Sequence, residues 1–268
     1  MNNEDIAKIT RDWDNYLDRL ILLGYRRYAR ALREQIEPIL KSLEGTSSIG
    51  AVLGLSGVLI NEVPIQSAML EFLPIVADKT GRQVARMYSK FLPKDSRLGV
   101  GFGSEQFKRE MASYIRQYGY DKHAKDITET TKKLVRKALQ DGLDNGDTIR
   151  QVSKRVVEYT GMNKSRALMI SRTETGMCAA RAKELQTEDY PYEFETIWIH
   201  DHPRQPREWH LAMNMKRVEF GKERFNVGGV LMKYPHDPDG GAINVINCKC
   251  SYVNKPKEDK EGNLIRKN

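Results

Sequence analysis

The chain holds 268 residues, 40% hydrophobic and 30% charged, the composition of a globular protein with one large or two modest domains. Its longest apolar run, residues 49–60, carries three glycines and falls short of the roughly 20 apolar residues of a membrane span, so no membrane partner is expected. The net charge of +8 is uneven: residues 108–183 hold 17 Lys or Arg against 9 Asp or Glu, and the remainder holds 27 of each sign.

In chain order, Ile6, Ile9, Trp13, Leu17 and Leu20 recur at three- and four-residue spacing, the mark of an amphipathic helix. That helix is expected to stop near Glu37, because Pro38 removes a donor and pushes its predecessor out of the α region. Residues 49–60 read as a buried helix or a loop. A second helical stretch covers residues 63–92, with Pro64 in its first turn and Pro74 predicting a kink or split. The Pro- and Gly-rich residues 93–103 read as a linker, with a boundary near residue 100.

From Ser104 the helical period returns. Phe107, Met111, Tyr114, Ile115 and Tyr118 form a stripe ended by Gly119. Ile127, Leu134, Ala138 and Leu139 form another, ended by Gly142. Asp147 is the expected N-cap of a further helix, with Gly161 beyond its end, and Asn163 is the cap candidate of the next. In that last helix Leu168, Ser171, Thr175, Cys178, Ala182 and Leu185 share a stripe whose small central members let another element come close. Cys178 is expected to be buried core.

After Tyr190-Pro191 the pattern alternates, with Phe194, Thr196 and Trp198 on one strand face and Glu195, Ile197 and Ile199 on the other. Pro206 opens a short helix carrying Trp209, His210 and Met213. Residues 218–220 and 230–232 read as strands around Gly228-Gly229. Cys248, Cys250 and Tyr252 alternate in a last strand, and the charged tail from Asn254 is expected to be mobile. The fold class is therefore α+β: predominantly α-helical N-terminal and middle regions (1–100 and 104–187), a small mixed α/β C-terminal domain (190–253) and a tail (254–268).

Two clusters carry chemistry. The basic middle, including Lys132, Lys133, Arg136 and Lys137, is expected to meet double-stranded DNA through its phosphates without sequence preference, the alternative being a solvated helix face. The C-terminal domain gathers His200, His202, His210, His236, Cys248 and Cys250. An odd count of three cysteines gives no disulfide framework and suits a reducing compartment. On an extended strand Cys248 and Cys250 point to one side, roughly 6.5 Å apart, poorly aimed for a disulfide. A modest pinch would bring both onto one zinc ion. His210 is the first choice for a third ligand, and Asp201, His200, His202 or His236 for a fourth. Buried thiols without metal weigh more, so no cofactor is required. A catalytic reading, with His210 as base oriented by Asp201 or Asp237, has residues but no motif.

Arg172-Thr173-Glu174 in a helix, then Trp198, Asp201, Arg204 or Arg207 and His210, then Pro235 and Pro238 around Asp237, and finally Asn247-Cys248-Lys249-Cys250 form an ordered set. It resembles the Mu F-like minor head proteins of tailed bacteriophages, also called phage head morphogenesis proteins. The likeness runs from about Lys122 to Val253. It departs after His210, where Leu211-Ala212-Met213-Asn214-Met215 lacks the family's glycine, and at Lys249, where arginine is common. The resemblance implies a non-enzymatic, low-copy component of the virion head interior, present in the host cytoplasm during assembly. Its implied partners are the portal or major capsid protein and packaged DNA. The rival is a metal-dependent nuclease-like enzyme using His210, Asp201 and the two thiols. Residues 1–95 are expected to contact the portal or shell, and residues 104–253 to fold without them. The C-terminal domain is near the size at which a core alone is marginal. Docking on the small-residue helix is expected to hold it, with Trp198 against Ser171, Thr175 and Cys178, and Arg172 or Glu174 paired to Asp201, Arg204 or Asn247.

Overall fold

The computed structural model describes residues 2–46, 48–93, 97–161, 164–201 and 206–267. The helical part comprises α1 (Asn3–Glu44), α2 (Ile49–Leu59), α3 (Val63–Tyr88), α4 (Glu105–Tyr114), a π-helical stretch (Ile115–His123), α5 (Ala124–Asp144), α6 (Ile149–Tyr159) and α7 (Lys164–Glu188). The mixed part comprises β1 (Phe194–Ile199), α8 (Glu208–Leu211), β2 (Arg217–Glu219), β3 (Phe225–Val227), β4 (Val230–Met232), α9 (Gly241–Val245) and β5 (Ser251–Pro256). The class is α+β and mostly helical, as the sequence predicts.

The helices outlast the breaks their prolines and glycines predict. α1 continues through Pro38, because Ile36, Ile39 and Leu43 beside it are fully buried in one aliphatic cluster. Burial worth about 1.5–3 kcal/mol per side chain offsets the roughly 3 kcal/mol of an interior proline. α3 likewise passes Pro74. Gly119 lies within the π-helical stretch, where a Cβ would stand 3.1 Å from Leu73 Cδ1. Gly142 lies inside α5, and Val152 of α6 comes within 2.6 Å of the place a Cβ would occupy. The cap of α6 is Thr148, which forms a capping box with Gln151, while Asp147 pairs with Arg155 at 2.5 Å. Residues 49–59 are helical, capped by Ser48, whose hydroxyl accepts from Ala51 N at 3.2 Å. Asn163 lies outside the described residues.

The chain divides into two compact units. One gathers residues 22–73 and 114–171 and is all helical. Its core is aliphatic, built on Ile36, Ile39, Val135, Leu139, Val152 and Val156. Gln35 crosses it, donating to Thr128 Oγ1 at 2.7 Å and accepting from Thr131 Oγ1 at 3.0 Å.

The other unit gathers residues 1–21, 74–113 and 172–268. Its antiparallel sheet has the order β2-β1-β5, with Trp198 opposite Tyr252 and Ile197 opposite Val253. One sheet face buries Trp198 with Phe225, Val227, Met232 and, from α7, Met177. On the other, Ile197 and Val253 meet Ile6 and Ile9 of α1. Strand β1 is therefore buried on both sides. β3 and β4 form a hairpin through Gly228-Gly229, both at positive φ (60° and 89°), the demand of a type I′ turn.

Two expectations are corrected here. Because α1 covers the sheet's second face, a chain starting at residue 104 would expose Ile197 and Val253, so residues 104–253 lack a complete core of their own. The tail is tied in: β5 runs to Pro256, Lys257 N donates to Glu193 O at 2.9 Å, and Ile265 N donates to Lys257 O at 3.0 Å.

Candidate functional site

The second half of α7 is the platform of the site. Gly176 admits the His236 ring, which stands 2.6 Å from where a Cβ would be. One turn on, Ala180 O accepts from the Tyr252 hydroxyl at 2.8 Å. Lys183 is fully buried; its Nζ donates to Tyr252 O and lies 4.2 and 4.3 Å from the Trp13 and Tyr252 ring centres. Burial pushes the Lys183 ammonium down to about 7 and, with weaker opposing contacts, lifts the neighbouring Asp14 carboxyl to about 6. Buried Glu184 gathers Arg181 at 2.5 Å, Lys233 at 3.2 Å and the Tyr234 hydroxyl at 2.7 Å. Thr187 Oγ1 accepts from Asn254 Nδ2 at 2.9 Å.

Docking on α7 thus occurs, through a different stripe from the one predicted. Trp198 sits with Met177, His210 and Phe225. Cys178 turns instead toward Ala77 of α3, and burial holds its thiol well above the usual range. Arg172 donates to Asn247 Oδ1, one of the pairings expected, and Asn247 N donates to Thr173 Oγ1 at 3.0 Å. Both bonds pin the turn that precedes Cys248.

That turn assembles the thiols. Asn247 has φ 55°, the left-handed region that asparagine tolerates better than most residues. The cysteines lie ahead of β5 and not within it. The backbone N–H of Cys250 donates to Cys248 Sγ at 3.4 Å, which supplies the pinch an extended strand lacks. His210 arrives on α8, its Nδ1 3.6 Å from Cys248 Sγ and 3.5 Å from Cys250 Sγ. All three side chains are buried, and their ligand atoms lie within 4.8 Å of one another. The Cys250 hydrogen bond, aided by His236 and His210, holds the Cys248 thiol well below its ordinary range, and the same pairing with burial pushes Cys250 up.

The orientation of His210 comes from Asn244, which the sequence reading missed. Asn244 Oδ1 accepts from Trp209 Nε1 at 2.8 Å, so it is the carbonyl end, and Nδ2 donates to Gly240 O at 3.0 Å. His210 Nε2, 3.1 Å from that oxygen, must then carry the hydrogen. The Nδ1 lone pair is left facing both sulfurs. No spacing in the sequence announces this, since Asn244 sits 34 residues from His210 in a short helix.

The other predicted residues separate. Asp237 is a turn-holder: Oδ2 accepts from Lys233 N at 2.7 Å and Oδ1 from Asp239 N at 3.1 Å. His236 Nε2 donates to Cys250 O at 3.1 Å. Asp201 is exposed, and the buried His200 donates its backbone N–H to Asn214 Oδ1 at 3.0 Å. Arg207 donates to Ile246 O at 2.7 Å. Glu174 is buried in α7. Arg204 and His202 lie outside the described residues. On α5, Lys133, Arg136 and Lys137 are exposed on one face, and Lys132 is half-buried and paired with Glu129 at 2.9 Å.

Among families of known proteins, residues 133–253 match the one described as Phage Mu protein F like protein. The match covers just under half of the chain and ends on Val253, the limit the ordered residues set. No curated protein and no solved structure matches the chain.

Proposed function

We propose, from the match of residues 133–253 to the Phage Mu protein F like family, that the chain is a Mu F-like protein and acts as a non-enzymatic minor head protein of a tailed bacteriophage. Its setting is phage head morphogenesis. In this reading it docks on the portal or inner shell and meets packaged duplex DNA. The family match carries the assignment; two surfaces support the finer roles.

The first surface is basic. Residues 114–171 hold 12 Lys or Arg against 7 Asp or Glu, and Lys133, Arg136 and Lys137 point outward from α5. Such a face attracts phosphate backbone without reading bases. The second surface is apolar and lies in the first hundred residues. The run Ile49–Tyr88 is apolar enough by length and composition to cross a membrane, yet it is two helices separated by an extended Ile60. Along it Leu55, Val58, Val63 and Leu70 stand exposed. Exposed apolar side chains in this density favour a protein partner, which in a head is the portal or shell. Quantitative mass spectrometry of purified heads tests the assignment. A few copies per head are expected. Absence from heads, or major-protein abundance, would contradict it.

A further inference from the structure

The geometry points to a mononuclear zinc site formed by His210 Nδ1, Cys248 Sγ and Cys250 Sγ, its fourth position facing a cavity that Arg207, Lys249 and His200 line. Tetrahedral zinc with Zn–S of about 2.3 Å and Zn–N of about 2.0–2.1 Å spaces a sulfur and a nitrogen ligand roughly 3.5–3.6 Å apart. The observed separations of His210 Nδ1 from the two sulfurs are 3.5 and 3.6 Å. Two of the three edges joining these atoms therefore already have tetrahedral length, and all three atoms lie within 4.8 Å of one another.

Three further observations fit a metal better than a casual cluster of thiols. First, the His210 tautomer is fixed for ligation: Asn244 Oδ1 takes the Nε2 hydrogen and leaves Nδ1 with its lone pair toward the sulfurs. Zinc-bound imidazoles carry such a partner on the other nitrogen. Second, Cys248 Sγ accepts the Cys250 backbone N–H at 3.4 Å, a bond that favours thiolate over thiol. Third, a cavity of 260 Å³ opens on the three ligands between Arg207, Lys249 and His200. No fourth His, Cys, Asp or Glu among the described residues joins the group. Among the described residues, that leaves the fourth position to a water or to an anion drawn by the two cationic side chains. As each S–Zn bond forms, the thiol gives its proton to solvent, so loading is weakened by acid. The ion would tie α8 to the turn before β5, joining two parts of the unit that no backbone pairing links directly.

The full chain, purified without chelator, should contain one zinc per molecule. After stripping, added cobalt(II) should give the visible bands of a tetrahedral site and a thiolate-to-cobalt charge-transfer band. Cys248→Ser and Cys250→Ser should lose both, whereas Cys178→Ala, remote from the cluster, should keep them. Asn244→Leu should weaken zinc binding by roughly 10–100-fold, and Asn244→Asp, which still accepts from His210 and Trp209, should restore it. If the serine variants fail to fold, the wild-type zinc content and cobalt spectrum decide alone. Wild-type protein with neither zinc nor a thiolate–cobalt band would overturn the proposal and leave a hydrogen-bonded pair of buried thiols.

Discussion

In the all-helical unit of residues 22–73 and 114–171, the fully buried polar groups among the described residues are neutral: Gln35 with hydroxyls such as Thr128, Thr131 and Thr160. The unit that holds the sheet buries Glu174, Lys183, Glu184, Asp237 and three histidines. The first keeps most of its charge outside, on the exposed face of α5. It draws in Arg166, which donates to Thr160 O, Ile127 O and Thr131 Oγ1 at 3.0 Å, and burial pushes that guanidinium down to about 10. The second takes ionisable groups inside, where each must find partners or lose its charge. Buried charge rarely adds stability, but it makes geometry demanding: Glu184 fits only where Arg181, Lys233 and Tyr234 converge. The thiol–imidazole cluster sits in that demanding unit, and the basic surplus in the permissive one.

Substitutions at matched depth sharpen this contrast. Trp198→Ala, in the sheet core, should cost about 3–5 kcal/mol of unfolding free energy. Glu184→Ala should cost somewhat less, about 2–4 kcal/mol, because it strands the buried Tyr234 hydroxyl and removes charge-assisted bonds, while Arg181 keeps Glu110 and Lys233 reaches solvent. Its counterpart in the helical unit, Gln35→Ala, should cost roughly 1–3 kcal/mol, since the hydroxyls left behind are neutral. Equal losses in denaturant titration would erase the distinction.

The next effect is one of pH. Lys183 has its folded value lowered to about 7, so between there and the ordinary lysine range the unfolded chain binds the extra proton. Stability therefore rises as pH is raised from about 7 towards 10, and the contribution is lost below. Lys183→Met, which keeps the packing against Trp13 and Tyr252, should flatten that rise. Melting curves across the range would show it, and an unchanged slope would assign the rise to another group. Smaller still is Arg172→Ala. Its partner Asn247 is neutral and the pairing exposed, so about 0.5–1.5 kcal/mol is expected. Smallest is charge reversal at Lys133, Arg136 and Lys137, which should move stability by no more than about 0.5 kcal/mol.

Legibility in the sequence followed the same division. The helices showed through their periodicity, but their ends did not, because burial of Ile36 and Ile39 overrides Pro38 and because Gly142 serves close packing instead of termination. Strand β1 was legible from Phe194 to Ile199, and β3 was too short to register. The cluster residues His210, Cys248 and Cys250 were found by type and order. Asn247 was found too, as a partner for Arg172, though not its left-handed turn; the acceptor Asn244 left no trace, since a neutral amide acting across tertiary distance has no spacing to reveal it. The docking of the C-terminal segment on α7 was expected, but on the wrong stripe, because small residues lie on more than one face and Gly176 is explained only by the ring of His236. Units assembled from distant segments, such as α1 over β1, are likewise invisible to a reading in chain order.

The central functional claim is that the helical unit meets DNA by charge alone, and salt dependence tests it most directly. Full-length protein should bind duplex DNA of unrelated sequences equally, with affinity falling steeply as salt rises. Joint reversal of Lys132, Lys133, Arg136 and Lys137 to glutamate should weaken binding. It should also make the slope of log affinity against log salt shallower by roughly 0.9 for each phosphate that is no longer neutralised. Binding that is insensitive to salt, or a slope unchanged in the reversed variant, would contradict the account.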